Sequence, residues 1–309
     1  MRIVSLLPSA SEIVCALGLG EQLVAVSHEC DFPPEVQRLP RITSSILPHD
    51  LDARAIDEAV CRAVQEGRAL YKVDGDLLAR LKPDLIVTQG VCDVCAVSVG
   101  TVQETLQFLP DVLPAGTQTL SLSGTSVAGV WRDIGRVGAA AGVPERAAAL
   151  VGELKARWER LARLPKPAPR PRVLMLEWPD PPFYGGHWVP EQVAAAGGED
   201  ALGRPGEVSA RVTWERLLEA DPDVIVMVAC GYDLAANRAF AAALYEHPEA
   251  RTLRAVRRGA VWAADANSFF SRPAPRLVAG AEALAQVLAA RDVPGVAERV
   301  QVAYSARSR

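Results

Sequence analysis

The sequence predicts an α/β protein built as two similar lobes with parallel sheets, joined by one long α-helix. Three observations carry this. The first is a repeat: Leu81-Lys-Pro-Asp-Leu-Ile-Val-Thr-Gln-Gly90 is echoed by Ala220-Asp-Pro-Asp-Val-Ile-Val-Met-Val-Ala-Cys-Gly231. Each copy is a Pro-Asp turn, a β-branched run and a glycine-bearing exit, and each has a strand signal upstream, at residues 2–7 and 172–177. The second is alternation of strand and helix signals without hairpin signals, the pattern of a parallel sheet. The third is a nearly unbroken helical pattern over 126–164. Two similar lobes imply a cleft, a preferred place for a ligand.

In chain order, residues 2–7 form a strand and Ser9-Ala-Ser-Glu12 opens a helix that stops near Gly18-Leu-Gly20, polar at its start and glycine-bearing at its end. Residues 23–27 form the second strand, 57–66 and 75–81 are helical, and 85–88 is the next strand. A loop over 89–98 leads into a helix reaching about 108, and 118–122 completes a first lobe over 1–125. Val127, Val130, Trp131, Ile134 and Val137 recur at helical spacing, so 126–164 reads as an amphipathic strut interrupted only at Gly142-Val-Pro144. The proline-rich stretch 165–171 is a semi-rigid linker into the second lobe, 165–290. The polar tail 291–309 is a loose helix or partly disordered.

Composition bounds the function. The chain has 309 residues, too long for one ordinary core. Its net charge of −4 comes without a basic stripe, which argues against nucleic acid. No apolar run reaches transmembrane length. The first residues enter a strand without the apolar segment and cleavage site of a secretory signal, which places the chain as written in the cytoplasm, or in the periplasm or at the cell surface if the N-terminus was trimmed. No Walker loop, GxGxxG or nucleophile elbow is present, so no nucleotide cofactor is expected.

In open parallel sheets, ligands bind beyond the carboxyl ends of the strands. Four such loops carry unusual residues: 28–32, 89–93, 178–188 and 265–273. In a chain poor in aromatics, Phe32, Trp178, Phe183, Tyr184, Trp188, Phe269 and Phe270 all fall there. Rigid aromatic area at the cleft edges suits a large, flat or apolar ligand; the alternative is that these rings merely cover sheet ends. His28 and His187 lie in the same loops. Each is a candidate metal ligand, with Glu29 or Cys30 beside His28, or a solvated, locally bonded side chain. His49 and His247 sit in polar turns and look structural. Of six cysteines, Cys15 and Cys61 read as small core residues. Cys92 and Cys95 form a lone CxxC, either a metal or redox pair or two small residues in a tight loop.

These motifs together resemble the vitamin B12 and iron-siderophore class of ABC-transporter substrate-binding proteins, and most of all its cobalamin-binding branch. The matching anchors are Arg2-Ile-Val-Ser-Leu-Leu-Pro-Ser-Ala-Ser-Glu12, the segment from His28 to Pro34, residues 81–87, Pro181-Pro-Phe183, Ala196-Gly-Gly-Glu199 and the segment from Phe269 to Arg276. The resemblance implies two Rossmann-like lobes joined by one long helix, a shallow cleft with little hinge motion, and a corrinoid lined by Phe32, Gln89, Gly90, Phe183, Phe269 and Phe270. It also implies an ABC permease partner reached through an acidic residue on each lobe. Here one such position offers Asp93 but no glutamate, the other, near Phe270-Ser-Arg272, has no acid, and an aromatic expected near 89 is glutamine.

The leading expectation is therefore non-enzymatic binding of cobalamin or a related corrinoid, with His28, Cys30 or His187 as a candidate axial ligand to cobalt. A haem or ferric siderophore is the alternative ligand, for which Arg272 and Arg276 are the available cations. An enzyme on the same scaffold, using Cys92 and Cys95 with Glu177 or His187, is the alternative from another class.

Overall fold

The structure, a computed structural model, describes residues 1–47, 51–66, 68–90 and 116–301. The described chain divides into two compact units. The first comprises Met1–Lys155 with Pro273–Pro275, and the second comprises Ala156–Arg272 with the chain from Arg276 onward.

The first unit holds a four-stranded parallel sheet of β1 (Ile3–Ser5), β2 (Leu23–Val26), β5 (Leu85–Gln89) and β6 (Gln118–Leu122), in the order β2-β1-β5-β6. The chain leaves β1 to one side for β2 and returns to its other side for β5, so the switch point lies at the carboxyl ends of these strands. Val4, Leu6, Ala25, Ile42, Leu78 and Ile86 form a core under the sheet. The helix Gly75–Leu81 starts where expected, with Asp74 accepting from the Leu77 amide at 2.8 Å. The alternation pattern missed a small antiparallel pair, β3 (Thr43–Ser45) with β4 (Tyr71–Val73). Three-residue strands are too short to declare a period.

The helical stretch over 126–164 consists of two helices, Val127–Ala140 and Pro144–Arg163. Ser126 caps the first, accepting from Gly129 N at 3.1 Å. Gly142 at φ +73° ends it, a conformation glycine adopts without Cβ strain, and Pro144 begins the second. The boundary between the units falls inside that second helix, between Lys155 and Ala156.

The second unit is built on a sheet ordered β10-β8-β7-β11-β12-β13, with β9 (Glu199–Asp200) pairing alongside β7 (Arg172–Pro179). β11 (Val224–Met227) pairs in parallel with β7 and with β12 (Val261–Ala264). Leu174, Leu176, Leu217, Ile225, Met227, Val256, Val261 and Ala263 belong to its core. Two features depart from the sequence reading. Residues 178–184 are a hairpin and not a loop: β7 runs through Trp178 to Pro179 and turns at Asp180-Pro181 into β8 (Pro182–Tyr184), which also pairs with β10 (Ala210–Arg211). Prolines at the turn hid the strands, since proline is admitted at strand ends and edges. The tail contains β13 (Ala297–Arg299), antiparallel to β12 and secured by Tyr245 Oη donating to Val300 O at 3.0 Å.

The repeated Pro-Asp turn has one job in both units. Asp84 N donates to Arg2 O at 2.9 Å, and Asp84 Oδ2 accepts from Arg2 N at 2.7 Å. Asp223 does the same with Arg172, at 2.8 and 3.0 Å. Each aspartate thereby closes both main-chain groups at the start of the lobe's first strand and sets its register. Replacing Asp84 by Ala is expected to cost about 1 kcal/mol, one net hydrogen bond. Asp223→Ala is expected to cost more, because Asp223 Oδ1 also accepts from Arg254 Nη1 at 2.7 Å. Urea midpoints unchanged in both variants would contradict the clamp.

Candidate functional site

At the carboxyl end of the first sheet, the loop after β2 is held from below. Arg41 Nη1 donates to Ser27 O at 2.9 Å and to Cys30 O at 2.7 Å. Thr43 Oγ1 donates to Ser27 Oγ at 3.2 Å, and it lies 2.7 Å from His28 Nδ1. The His28 ring is thereby fixed against Thr43 through Nδ1. Nε2 lies 4.0 Å from Glu29 Oε1, and the ring is tilted against Tyr71 at 5.6 Å. Phe32 is 39% exposed. Gln89 is not in a loop; it ends β5 and is buried, while Gly90 is exposed and bonds through its amide to Leu122 O. A Cβ at Gly90 would stand 3.0 Å from Ser121 Oγ, so the backbone there sits close to β6.

The structure removes Cys30 from the candidate metal donors. The thiol is 1% exposed and lies 3.1 Å from Ser11 Oγ, so it belongs to the interior of the first unit. Cys15 is partly buried, and burial raises its thiol pKa to about 11. Cys61, expected in the core, is exposed on the helix Ala53–Gln65. Cys92, Asp93, Cys95 and His49 lie outside the described residues.

At the carboxyl end of the second sheet, a row of aromatics forms. Phe183 is the cross-strand partner of Trp178 in the β7–β8 hairpin. The Trp178 ring lies 5.8 Å from Tyr232, and Tyr232 meets Phe240 edge-on at 5.0 Å. The loop carrying Tyr232 is fixed by the buried Asn237. Its Oδ1 accepts from Ala229 N at 2.6 Å, and its Nδ2 donates to Tyr232 O and Asp233 O at 3.1 and 3.0 Å. Cys230 N donates to Glu177 O at 3.1 Å, tying this loop to β7. Tyr232 is absent from the sequence-derived candidates, although the repeat announces it: aligned on the Pro-Asp turns, Gly90 falls on Ala229, so the residues just after it stand beyond a strand's carboxyl end. Glu177 is only part-buried.

Other candidates turn out to hold the frame. Trp188 is 5% exposed and donates through Nε1 to Phe270 O at 2.7 Å; Phe270 is 2% exposed. Both are packing residues, because an indole already bonded and a ring already enclosed have no face left for a ligand. Phe269 lies on a short helix, Ala266–Phe269, capped by Asp265, with the Arg276 guanidinium 5.7 Å over its ring. Arg272 is buried. Tyr184 packs against the same core as Trp178 and Tyr232 and lines a small hollow with Leu202, Arg211 and Arg216, and Arg211 also lies over Phe183 at 5.5 Å. His247 stacks on Trp214 at 4.1 Å, the structural role expected for it.

His187 adopts φ +54° and is fixed through its backbone to Glu207 O and Gly206 N. Burial pushes its imidazole pKa down, so the ring stays neutral further into acid. The loop that folds over it is anchored by Asp200, whose Oδ1 accepts from Leu202 N and Gly203 N at 3.0 and 2.6 Å. Asp200 Oδ2 is buried with no hydrogen-bond partner, and burial raises this carboxyl pKa to about 6. Among the described residues no group of three or more His, Cys, Asp or Glu side chains is arranged to hold a metal ion.

The model of the periplasmic binding protein family matches residues 3–267, and the chain belongs to that family. That membership agrees with the binding-protein family that the motifs resemble. A 43-residue stretch is 49% identical to the vitamin B12-binding protein of Pectobacterium carotovorum, a match spanning 14% of this chain and 16% of that relative. Identity to the vitamin B12-binding protein of Photorhabdus laumondii is 24% over 296 residues, 93% of this chain and 88% of that protein. Among solved structures, a periplasmic heme-binding protein from Pseudomonas aeruginosa superposes with a TM-score of 0.69 at 20% identity, covering 97% of this chain and 98% of the other. No described helix is long and apolar enough to cross a membrane. The family is described as periplasmic, which does not support the cytoplasmic placement expected from the first residues.

Asp200 provides a pH test of the loop. Its folded pKa lies above its ordinary value of 3.8, so the folded state binds the extra proton between pH 3.8 and about 6. The stabilisation from the protonated form is complete below 3.8 and is lost as pH rises through 6. Asp200→Asn, which keeps an acceptor for both amides, is therefore expected to raise Tm relative to the parent at pH 7.5 and to leave it nearly unchanged at pH 4. A Tm difference independent of pH would refute the assignment.

Proposed function

We propose that this protein binds cobalamin or a related corrinoid without transforming it, with the ligand laid against Phe183, Trp178 and Tyr232 of the second unit. This aromatic cluster beyond the carboxyl ends of β7 and β11 is the observation that carries the reading. Trp178 and Tyr232, inclined at 49° to one another, with Phe183 paired across the hairpin, give an apolar aromatic surface for a macrocycle, and Trp and Tyr add polar edges for amide arms. The relatives named as vitamin B12-binding proteins support the same ligand. At the carboxyl end of the first unit's own sheet, His28, Phe32 and the Gln89-Gly90 turn are candidate contacts in their own right. His28 and His187 are the remaining candidate axial donors, since a neutral imidazole is what cobalt requires. An ABC permease is the natural partner for such a protein.

A haem or ferric siderophore is less well matched. Anionic chelates call for accessible guanidinium groups, and of the two arginines expected to supply them, Arg272 is buried and Arg276 lies over Phe269.

Isothermal titration with cyano-, aquo- and adenosylcobalamin tests the proposal directly. Saturable binding is expected, and Trp178→Ala is expected to weaken it by about tenfold or more, as for a central aromatic anchor. Absence of heat together with unshifted corrin absorption bands sinks the corrinoid reading, and tighter binding of haemin would transfer the site to haem. In the aquo form, His28→Ala is expected to alter the corrin spectrum if His28 reaches cobalt; an unchanged spectrum removes it as a ligand.

A further inference from the structure

The amino end of the second sheet carries a feature that corrinoid binding does not use. Asp223 immediately precedes β11 and Ala260 immediately precedes β12, so this end of the strands is the one opposite the aromatic row. Here a cleft of about 550 Å³ is lined by Leu218, Asp221, Thr252, Arg254, Arg257 and Arg258. That volume lies within the range of small-molecule sites.

The arginines are not equivalent. Arg254 is fully committed: Nε and Nη2 donate to Asp221 Oδ2 at 3.1 and 2.8 Å, and Nη1 donates to Asp223 Oδ1 at 2.7 Å. Its own amide donates to Asp221 Oδ1 at 2.8 Å. This bracing lowers the Asp221 carboxyl pKa, chiefly through the bond from the Arg254 amide. The cleft's one carboxylate is therefore already saturated with donors. The Thr252 hydroxyl is spent on Glu249 O at 2.7 Å.

Arg257 and Arg258 differ from Arg254. Both are exposed, and among the described residues no side chain hydrogen-bonds to either guanidinium; Arg257 acts on Asp221 only through its field. Arg258 is held through its main chain, its amide donating to Arg254 O at 3.0 Å and its carbonyl accepting from Arg299 Nη2 at 3.3 Å. Two uncommitted guanidinium groups thus face a cleft whose remaining charges cancel, in a chain whose net charge is −4. Adjacent guanidinium forks suit planar, bidentate recognition of phosphate oxygens.

We infer that this cleft is a second ligand site, for a phosphate-bearing small molecule with two neighbouring anionic centres. Arg257 and Arg258 supply the contacts, while Arg254, braced by Asp221 and Asp223, holds the wall that presents them. The site is independent of the corrinoid reading and would stand if that reading failed.

The test is isothermal titration of the full chain with inorganic pyrophosphate and, separately, with ADP, at constant ionic strength. Saturable binding is expected, weakening by about tenfold or more in the Arg257→Gln/Arg258→Gln double variant and weakening as salt rises. Among the described residues neither side chain makes a hydrogen bond, so the variant is expected to keep the parent's Tm; should it unfold, Arg258→Gln alone replaces it. Tighter binding of pyrophosphate identifies a free polyphosphate, and tighter binding of ADP a nucleoside diphosphate. No saturable heat from either probe, or equal affinity in parent and variant, overturns the inference.

Discussion

Everything in each unit hangs on one small constraint, the aspartate that ties the second parallel strand to the first. Parallel neighbours are distant in sequence, so no tight turn fixes their register. Asp84 and Asp223 do that work by closing on the main chain of Arg2 and Arg172, using backbone amide and carboxylate together. Because successive side chains alternate across a sheet, a slip of one residue would turn the core face of β5 or β11 toward the wrong side. The clamp therefore decides which residues reach the carboxyl ends, and so where Gln89, Gly90, Gly231 and Tyr232 stand.

On that frame the two ends of the second sheet are specialised differently. The carboxyl end is aromatic and half-open, with Trp178 and Tyr232 backed by the core and Asn237 pinning the loop between them. The amino end is polar, and its Asp221, Asp223 and Arg254 form a closed network that leaves neighbouring arginines uncommitted. Burial and bonding separate a contact residue from a frame residue at both ends. Trp188 and Phe270 look in sequence like Trp178 and Phe183, yet they are fastened to each other, and a side chain whose polar atom is already satisfied inside the fold gains nothing by meeting a ligand.

The electrostatics of the loop over 185–207 follow the same logic. A carboxyl at Asp200 and an imidazole at His187 are both buried, and burial penalises the charged form of each, raising one pKa and lowering the other. Both groups therefore favour neutrality.

The sequence by itself determined the α/β class, the two matched halves and the start of nearly every described strand in the parallel sheets, because these follow from local period, caps and a repeat that can be read along one line. It also carried the family through motifs in order. It determined the site only in outline. His28, Phe32 and Trp178 were legible as loop or strand-end residues of the right chemistry, but Cys30, Trp188 and Phe270 were indistinguishable from them until packing showed each enclosed. The hairpin at 178–184 and the strand at 297–299 were hidden for a related reason: a short strand exists only through its partner, and the partner is remote. Whether an aromatic ring faces solvent or a neighbouring carbonyl, and whether a guanidinium is spent or spare, depends on groups brought together from tens of residues away. Only the tertiary structure could decide that.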